Sequence, residues 1–298
     1  MTSSIKDGLL KSYEQIEYQY NHRDELPGIA SGFYELDMML SGFHKSELTI
    51  LAARHSMGKT AFALNMVLNM IKVGAQVLFV SYEMNEKTIT NRILIADSEV
   101  DMMRVKTGNM QRKDWDKFAG SMSDIVEKYN GSLDLLPSCG LTFKFLADEI
   151  RYFAENNPEG IVVIDYFQLI KLEEKSERIV ELSSLACDIK RLAVELDIPI
   201  ILLSQISRKC EERKDRRPQV MDLAECDALA QHCDNLIFLH REDYWEKTDE
   251  DYDTPIKKNY GKTEVIVNKQ KNGPIGMIEL LFQPNIVKFK NPIKMDVF

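Results

Sequence analysis

Short apolar runs alternate with helical patterns along most of this chain. Five of the runs are continuously hydrophobic instead of alternating, and they are rich in β-branched residues. Such runs are typical of strands that are buried on both faces, as in a parallel sheet. They lie at residues 50–53, 77–82, 161–165, 198–204 and 236–240.

Helical periodicity fills the segments between these runs, at residues 61–73, 86–97, 143–156 and 178–197. Strands that alternate with helices predict βαβ units and a mainly parallel central sheet flanked by helices. The tail has a different pattern. Residues 263–269 and 277–283 flank an Asn-Gly-Pro turn and predict an antiparallel hairpin at the edge of that sheet.

An amphipathic arm precedes this region. Apolar residues recur there at helical spacing, and Asp24, Pro27 and Gly28 then supply turn chemistry. The pattern predicts two units, an arm at residues 1–25 and a main domain at residues 26–298. The helix packs either on its own subunit or on a neighbour. Its apolar positions are Leu9, Leu10, Tyr13, Ile16 and Tyr20.

Composition narrows the class of protein. The 298 residues are 44% hydrophobic and 29% charged, enough for one large α/β domain. The absence of a long apolar run and of a secretion signal predicts a cytoplasmic protein with no membrane contact. Five cysteines without a CxxC pair predict reduced thiols. Because the net charge is −9, nucleic acid would have to bind at a local basic stripe.

A Gly-Lys-Thr turn lies between the first strand run and its helix. This layout is typical of a phosphate-binding loop, in which backbone N–H groups and a helix N-terminus face the anion. Lys59 would contact the β- and γ-phosphates, and Thr60 would bind Mg²⁺. The usual pattern begins with glycine, whereas this chain has Ala53 there. The predicted nucleotide-binding residues are Ser56, Met57, Gly58, Lys59, Thr60 and Ala61.

Three polar residues follow other strand runs. Asp165 ends one run, where its carboxylate could hold Mg²⁺ through water, although an aspartate at the end of a strand is also a common turn residue. Glu83 follows the run that we expect beside the loop strand, where it could activate a water. Gln205 could sense a γ-phosphate, although a glutamine in this position is often only a cap.

The hairpin adds two cations, Lys269 and Lys271. Residues two apart point to the same side of a strand, so both ammonium groups could face one anion. A solvated face is the plainer interpretation. We expect the phosphate loop, Glu83, Asp165, Gln205 and the hairpin lysines all to lie at the carboxyl ends of the strands, where open α/β sheets bind their ligands.

The order of these parts resembles the RecA-like motor core of P-loop NTPases. The segments SGFYELDMMLSGF, ARHSMGKTAFALN, SYEM, VVIDYFQLI, LLSQISR and KQKNGPIG resemble the ATPase domain of DnaB-type replicative DNA helicases, over about residues 26–290. The resemblance implies a homo-hexameric ring that hydrolyses ATP with Mg²⁺ between subunits and translocates on single-stranded DNA.

The resemblance also implies roles for single residues. Glu83 would be the catalytic base, Asp165 would bind Mg²⁺, Gln205 would sense the γ-phosphate, and Arg92 would lie near the nucleotide. Lys269 and Lys271 would act on the neighbouring subunit's ATP. The arm resembles the linker helix through which each subunit holds the next.

Two departures concern catalysis and DNA. Lys271 stands where the family pattern KQRNGP has an arginine finger, and a lysine cannot bridge two phosphate oxygens, so we expect weaker or differently regulated hydrolysis. In the segment that corresponds to the family's channel loop, residues 222–234, Ala224 and Asp227 replace an arginine and a glycine, which weakens the expected DNA contact. A basic run at residues 207–218 could hold DNA phosphates instead, or be a solvated loop. The candidate DNA-binding residues are Arg208, Lys209, Arg213 and Glu225.

A third departure is the lack of the N-terminal helical domain that forms a collar in the family and contacts primase. The chain is either a fragment that begins at the linker or a naturally short relative. We therefore expect a primase or a loader to bind only through such a domain. An alternative function is a RecA-like ATPase that serves as an assembly or loading switch without unwinding strands.

Overall fold

The computed structural model describes residues 4–172, 176–223, 227–242 and 261–292. The following elements are α-helices: α1 (Ile5–Asn21), α2 (Tyr34–Leu40), α3 (Lys59–Lys72), α4 (Glu86–Ser98), α5 (Met102–Thr107), α6 (Arg112–Tyr129), α7 (Phe143–Asn156), α8 (Arg178–Leu196) and α9 (Asp227–His232). The strands are β1 (Leu48–Ala53), β2 (Val77–Ser81), β3 (Leu133–Pro137), β4 (Ile161–Asp165), β5 (Ile200–Gln205), β6 (Asn235–His240), β7 (Gly261–Gln270), β8 (Gly276–Gln283) and β9 (Lys288–Lys290). Short 3₁₀ helices lie at Phe167–Leu169, Arg208–Glu212, Val220–Asp222 and Pro284–Ile286.

All nine of these strands form one sheet in the order β3-β2-β4-β5-β1-β6-β7-β8-β9. The first six in this order are parallel, and β7, β8 and β9 continue the sheet in antiparallel fashion. The predicted α/β class, the parallel centre and the C-terminal hairpin are confirmed. Strand β3 was not predicted, because its side chains are only partly buried and its sequence lacks a clear pattern.

Side chains of the central strands alternate between two hydrophobic cores. In β1, Leu51 and Ala53 pack with α2, α3 and α4, whereas Leu48, Ile50 and Ala52 pack with α7 and α8. Because both faces of the sheet are covered, strands such as β4 have every residue buried. This burial explains why these strands are continuously apolar.

Asn65 joins the antiparallel extension to the helix that follows the phosphate loop. Its amide donates to the carbonyl oxygen of Val287 at 2.9 Å and accepts from the backbone N–H of Phe289 at 3.0 Å. Phe289 also contacts the rings of Phe62 and Phe282. These contacts hold α3, the helix that follows the phosphate loop, against β9.

Helix α1 is the predicted arm, and its apolar side chains face solvent. Leu9, Tyr13, Ile16 and Tyr20 are each more than 60% exposed. A helix packed on its own subunit would bury these side chains. Ser4 caps the helix by accepting from the backbone N–H of Asp7 at 3.2 Å.

Two further findings concern the described residues. None of the helices in the described ranges combines the length and the apolar character needed to cross a membrane. Four cysteines are free thiols, namely Cys139, Cys187, Cys210 and Cys233, as predicted. The fifth, Cys226, lies outside the described residues.

Candidate nucleotide-binding site

A cleft of about 250 Å³ opens at the carboxyl edge of the parallel strands, above β1. The ends of β1, β4 and β5 and the start of α3 form its floor. It is lined by Ala53, Arg54, His55, Ser56, Gly58, Lys59, Thr60, Ala61, Glu83, Arg92, Tyr166 and Gln205. Residues from five separate sequence segments therefore meet in one place. The predicted binding residue Met57 is not among them, because its side chain is buried in the hydrophobic core.

The phosphate loop connects β1 to α3 through two left-handed residues. Ser56 has φ of 65° and Gly58 has φ of 94°. A Cβ atom on Gly58 would also lie 3.3 Å from the ring of Phe289. Ala53, in contrast, is the last residue of the β1 ladder, where a side chain is tolerated. This difference explains why the chain keeps the second glycine of the usual pattern and dispenses with the first.

Lys59 is the first residue of α3, and its ammonium group lies 4.3 Å from the centroid of the Tyr166 ring. Burial lowers the pKa of Lys59 to about 8, although the charges of Asp165 and Glu83 oppose that shift. An anion beside the ammonium group would restore the charged form. Lys59 is therefore poised to gain a negatively charged ligand.

Thr60 and Asp165 form the candidate magnesium site. The Thr60 hydroxyl donates to Oδ2 of Asp165 at 2.8 Å. Oδ1 of Asp165 is buried and has no hydrogen-bond partner among the described residues. Burial raises the pKa of Asp165, and Lys59 and Thr60 only partly oppose this effect. A hard cation would satisfy the orphaned oxygen, so these residues fit Mg²⁺.

Such a cation would need further oxygen ligands. Within the described ranges, no group of three or more His, Cys, Asp and Glu side chains is arranged to hold a metal. A magnesium ion that is bound through one or two protein oxygens takes its remaining ligands from phosphates and water. The site is thus suited to a metal that arrives with a nucleotide.

Glu83 lies in a turn just beyond β2, with its side chain exposed at the cleft. Both neighbours of Glu83 are fixed: the Tyr82 N–H donates to the Asp165 carbonyl oxygen at 2.7 Å, and the Met84 N–H donates to the Ser81 hydroxyl at 2.9 Å. The expectation that β2 neighbours the loop strand was wrong. Strand β2 pairs with β3 and β4, and β4 and β5 separate it from β1. The turn nevertheless brings Glu83 into the cleft.

Gln205 ends β5, and Gln168 holds it from the neighbouring segment. The Gln168 amide donates to the Gln205 carbonyl oxygen and to the Ser204 hydroxyl, both at 3.0 Å, and accepts from the Gln205 N–H at 3.2 Å. This clamp acts on the backbone, so the Gln205 side chain stays at the cleft. Sequence reasoning missed Gln168, which lies three residues after Asp165 within VVIDYFQLI.

Two arginines line the cleft. Arg92 reaches it from α4 and contributes positive charge at Asp165. Arg54 was not predicted. Its guanidinium pairs with Glu211, and its Nε donates to Oε1 of that residue at 2.6 Å. Arg54 thereby links the phosphate loop to the 3₁₀ helix Arg208–Glu212, which carries part of the predicted basic run.

The hairpin lysines lie at the opposite edge of the sheet, so their expected position at the carboxyl ends was wrong. Strand β7 is antiparallel to β6, and its end at Gln270 pairs with Asn235 at the start of β6. Lys271 pairs with Asp234 at 2.8 Å. The Lys269 ammonium group donates to the carbonyl oxygens of Ala230 and Cys233, each at 2.7 Å. The two ammonium groups therefore have different partners.

The predicted basic run is partly neutralised by its own fold. Arg213 forms a two-pronged pair with Asp222 at 2.7 and 2.6 Å. Arg208 and Lys209 have exposed side chains on the adjacent 3₁₀ helix. The channel-loop residues Ala224 and Glu225, and the side chain of Asp227, lie outside the described residues.

Comparison with known proteins gives one consistent result. The family model of the DnaB-like helicase C-terminal domain matches residues 28–291. The chain is 35% identical over 291 residues to the replicative DNA helicase DnaC of Bacillus subtilis (strain 168), and 36% identical over 291 residues to the replicative DNA helicase DnaB of Geobacillus stearothermophilus. Each match covers 97% of this chain and 62% of the relative. The chain therefore spans about three fifths of the length of these relatives.

Solved structures agree with this result. A solved ATPase domain superposes with a TM-score of 0.87 at 32% identity, covering 98% of this chain and 100% of the other. A DnaB-like replicative helicase, solved in a study of its interactions with primase, gives a TM-score of 0.84 at 33% identity, covering 98% of this chain and 68% of that one. The fold is thus that of DnaB-type RecA-like ATPase domains.

Proposed function

This chain belongs to the family of DnaB-like helicase C-terminal domains, and from that premise we propose that it is an ATP-driven DNA helicase motor. It hydrolyses ATP at the subunit interfaces of a homo-hexameric ring and translocates on single-stranded DNA. The observation that carries the proposal is the convergence of Lys59, Thr60, Glu83, Asp165 and Gln205 at one edge of the sheet. A motor of this kind would work on DNA in the cytoplasm.

The phosphate loop would hold the nucleotide. Backbone N–H groups at the N-terminus of α3 would bind the phosphates, and Lys59 would neutralise the β- and γ-phosphates. Thr60 and Asp165 would hold Mg²⁺, which supplies charge neutralisation between the phosphates. Arg92 would add positive charge on the α4 side.

Glu83 would act as the general base. It would accept a proton from a water that attacks the γ-phosphorus in line, and the bond between this phosphorus and the β–γ bridging oxygen would break, which releases ADP and phosphate. Lys59 lies close enough to feel the Glu83 charge. Glu83 is therefore within the same electrostatic environment as the phosphates that it would serve.

Gln205 would report the presence of the γ-phosphate. Its backbone is fixed by Gln168, so a change at the side chain would be passed to the segment that follows β5. That segment contains Arg208 and Lys209, which are exposed and could contact DNA phosphates. Arg213 would reach DNA only after leaving Asp222. Glu225, in the neighbouring channel loop, is a further candidate for DNA binding.

The ring would form through α1 and the hairpin. Helix α1 exposes its apolar face, which favours docking on a neighbouring subunit over packing on its own. Lys271 lies at the sheet edge opposite the cleft, so it would face another subunit's ATP in a head-to-tail ring. Lys269 would have to exchange its carbonyl partners to reach the same phosphates.

The alternative is a RecA-like ATPase that serves as an assembly or loading switch. It shares the nucleotide site but requires no strand displacement. The match to replicative DNA helicases favours the motor. Primase or a loader would bind the motor only through an additional N-terminal domain.

Steady-state ATP hydrolysis with and without single-stranded DNA, at low and moderate salt, tests this proposal. We expect stimulation by DNA that weakens as salt rises, together with displacement of one strand of a forked duplex. The Glu83→Gln variant should bind ATP but fail in both assays. Hydrolysis that is indifferent to DNA, with no strand displacement, would favour the switch.

A further inference from the structure

Asp234 lies between β7 and the amino ends of the parallel strands, and three groups converge on its carboxylate. Oδ1 accepts from Lys271 at 2.8 Å. Oδ2 accepts from Lys190 at 2.6 Å and from the backbone N–H of Leu48 at 2.8 Å. The Asp234 side chain is only 8% exposed, whereas the Lys271 side chain is 46% exposed.

The backbone around this carboxylate is equally well fixed. The Asp234 N–H donates to the Leu48 carbonyl oxygen at 2.9 Å, and the Lys271 N–H donates to the Asp234 carbonyl oxygen at 3.0 Å. Asn272, the next residue of the turn, donates to Oε1 of Glu47 at 3.0 Å. The turn that carries Lys271 is thus held by the residues that immediately precede β1 and β6.

The charges at this site do not cancel. Asp234 supplies one negative charge, and Lys190 and Lys271 supply two positive charges. Burial raises the pKa of Asp234, but hydrogen bonds from the two lysines and from Leu48 outweigh it, so the pKa lies below its usual value. The carboxylate therefore stays ionised and holds Lys271 without neutralising the cluster.

Only one face of the Lys271 ammonium group is occupied by Asp234. An ammonium group has three N–H donors, so the exposed ones remain for an anion. A free lysine must lose the freedom of several rotatable bonds when it binds a phosphate. An anchored lysine has lost much of that freedom in advance, which increases its effect on a bound anion.

We propose that Asp234 is a positioning residue that holds Lys271 extended toward the ATP of the neighbouring subunit. This inference rests on the proposed function of Lys271 in the ring. It assigns to Asp234 an effect on the nucleotide site of the neighbouring subunit and not on that of its own subunit. Asp234→Asn should therefore impair the neighbour's hydrolysis and leave the variant's own phosphate loop intact.

The first test uses Asp234→Asn in the full chain with single-stranded DNA. We expect turnover to fall about tenfold with the KM for ATP nearly unchanged, and binding of a fluorescent ATP analogue to stay at the wild-type level. Lys190→Met is the matched control, since it removes a cation from the other oxygen of the same carboxylate. It should lower the denaturation temperature while preserving turnover per folded subunit. Wild-type turnover by Asp234→Asn would overturn the proposal.

Mixed rings separate a positioning role from general damage to the fold. Glu83→Gln subunits lack the base but carry an intact hairpin, and Asp234→Asn subunits have the reverse defect. Their equal mixture should regain about a quarter of wild-type turnover, because one in four random head-to-tail interfaces is complete. A structural defect at Asp234 would give no recovery.

The mixture of Glu83→Gln with Lys271→Ala serves as the reference. Recovery in this mixture without recovery in the Asp234→Asn mixture would overturn the positioning role alone. If neither mixture recovered turnover, Lys271 would not act on the neighbouring subunit's ATP, and the inference about Asp234 would be overturned as well. Recovery in both, to similar levels, is the result that we expect.

Discussion

The Thr60 hydroxyl donates a 2.8 Å hydrogen bond to Oδ2 of Asp165, which joins the first turn of α3 to the end of β4. The two residues are far apart in the sequence, and the order of the parallel sheet brings them together. The other carboxylate oxygen of Asp165 is buried without a partner among the described residues. The protein thus keeps a costly buried group at the place where we propose that Mg²⁺ binds.

This arrangement predicts opposite effects of Asp165→Asn on activity and stability. Burial raises the pKa of Asp165, so the ionised form costs stability at neutral pH, and a neutral amide removes that cost. In the absence of magnesium we expect the free energy of unfolding to rise by about 1 kcal/mol. Hydrolysis should fall by about 100-fold or more, since the metal loses its carboxylate. Chemical denaturation and turnover at varied magnesium concentration measure the two effects.

Asp124→Asn is a suitable control for that experiment. Asp124 lies on the exposed face of α6 and pairs with Lys128 at 2.7 Å. A surface pair of this kind contributes little to stability. The control should leave turnover unchanged, and a loss of stability in Asp165→Asn would contradict the assignment.

Gly58 and Gly74 form a natural pair for testing the phosphate loop. Both have positive φ, 94° and 89°, so alanine is strained at either position. A Cβ on Gly58 would lie 3.3 Å from the Phe289 ring, whereas a Cβ on Gly74 would have no atom within 4 Å. Each substitution should cost about 1 kcal/mol of stability or slightly more.

Of the two variants, only Gly58→Ala should also abolish nucleotide binding, because Gly58 caps α3 beside Lys59. Binding of a fluorescent ATP analogue, measured below the unfolding transition of both variants, separates this effect from the stability loss. Equal binding by the two variants would show that the loop tolerates a side chain at Gly58.

The pKa of Lys59 predicts how ATP affinity depends on pH. Burial lowers this pKa to about 8 in the absence of ligand, and bound phosphates would raise it. Above pH 8 the free protein has lost the proton that the complex needs, so binding takes up a proton. The affinity should fall by up to about tenfold per pH unit above 8 and level off below 8.

Isothermal calorimetry in buffers of different ionisation enthalpy would count the protons taken up at pH 9. The Lys59→Met variant provides the control, since its weak binding should be flat with pH and free of that uptake. The same proton uptake in both proteins would assign the titration to another group.

The sequence predicted the positions of the strand ends better than it predicted which strands are neighbours in the sheet. Asp165 and Gln205 could be placed because each ends a continuously apolar run, and parallel strands share one carboxyl edge. Strand β3 could not be found, because its half-exposed side chains leave no clear period. Glu83 reached the predicted cleft from a strand with the wrong predicted neighbours, because sheet order depends on the crossovers and not on local pattern.

Long-range contacts explain the remaining misses. The contacts of Gln168 with Gln205 and of Lys271 with Asp234 join segments that are separated by more than thirty residues. No periodic signal marks such pairs, since each depends on side-chain geometry after the sheet has formed. The position of the hairpin lysines was wrong for a related reason: an antiparallel strand reverses which edge its end occupies.

The last prediction concerns Lys271, for which we propose the position of an arginine finger. A guanidinium can bridge two oxygens of the charge that develops on the transferring phosphoryl group, and a finger is worth about 10³ to 10⁵ in rate. Lys271→Arg should therefore raise DNA-stimulated turnover, by about tenfold or more. Its extra donors can hold Asp234 and a phosphate together.

Lys262→Arg is the matched control, because Lys262 lies near the start of β7, the strand that leads into the turn with Lys271, and pairs with Glu279 on β8, remote from that turn. Single-turnover hydrolysis by the two variants, each in the wild-type and in the Asp234→Asn background, measures the effect on chemistry. The gain from Lys271→Arg should shrink when Asp234 is replaced, since the guanidinium then loses its anchor. Unchanged turnover of Lys271→Arg would show that residue 271 does not stabilise the charge that develops in the rate-determining step.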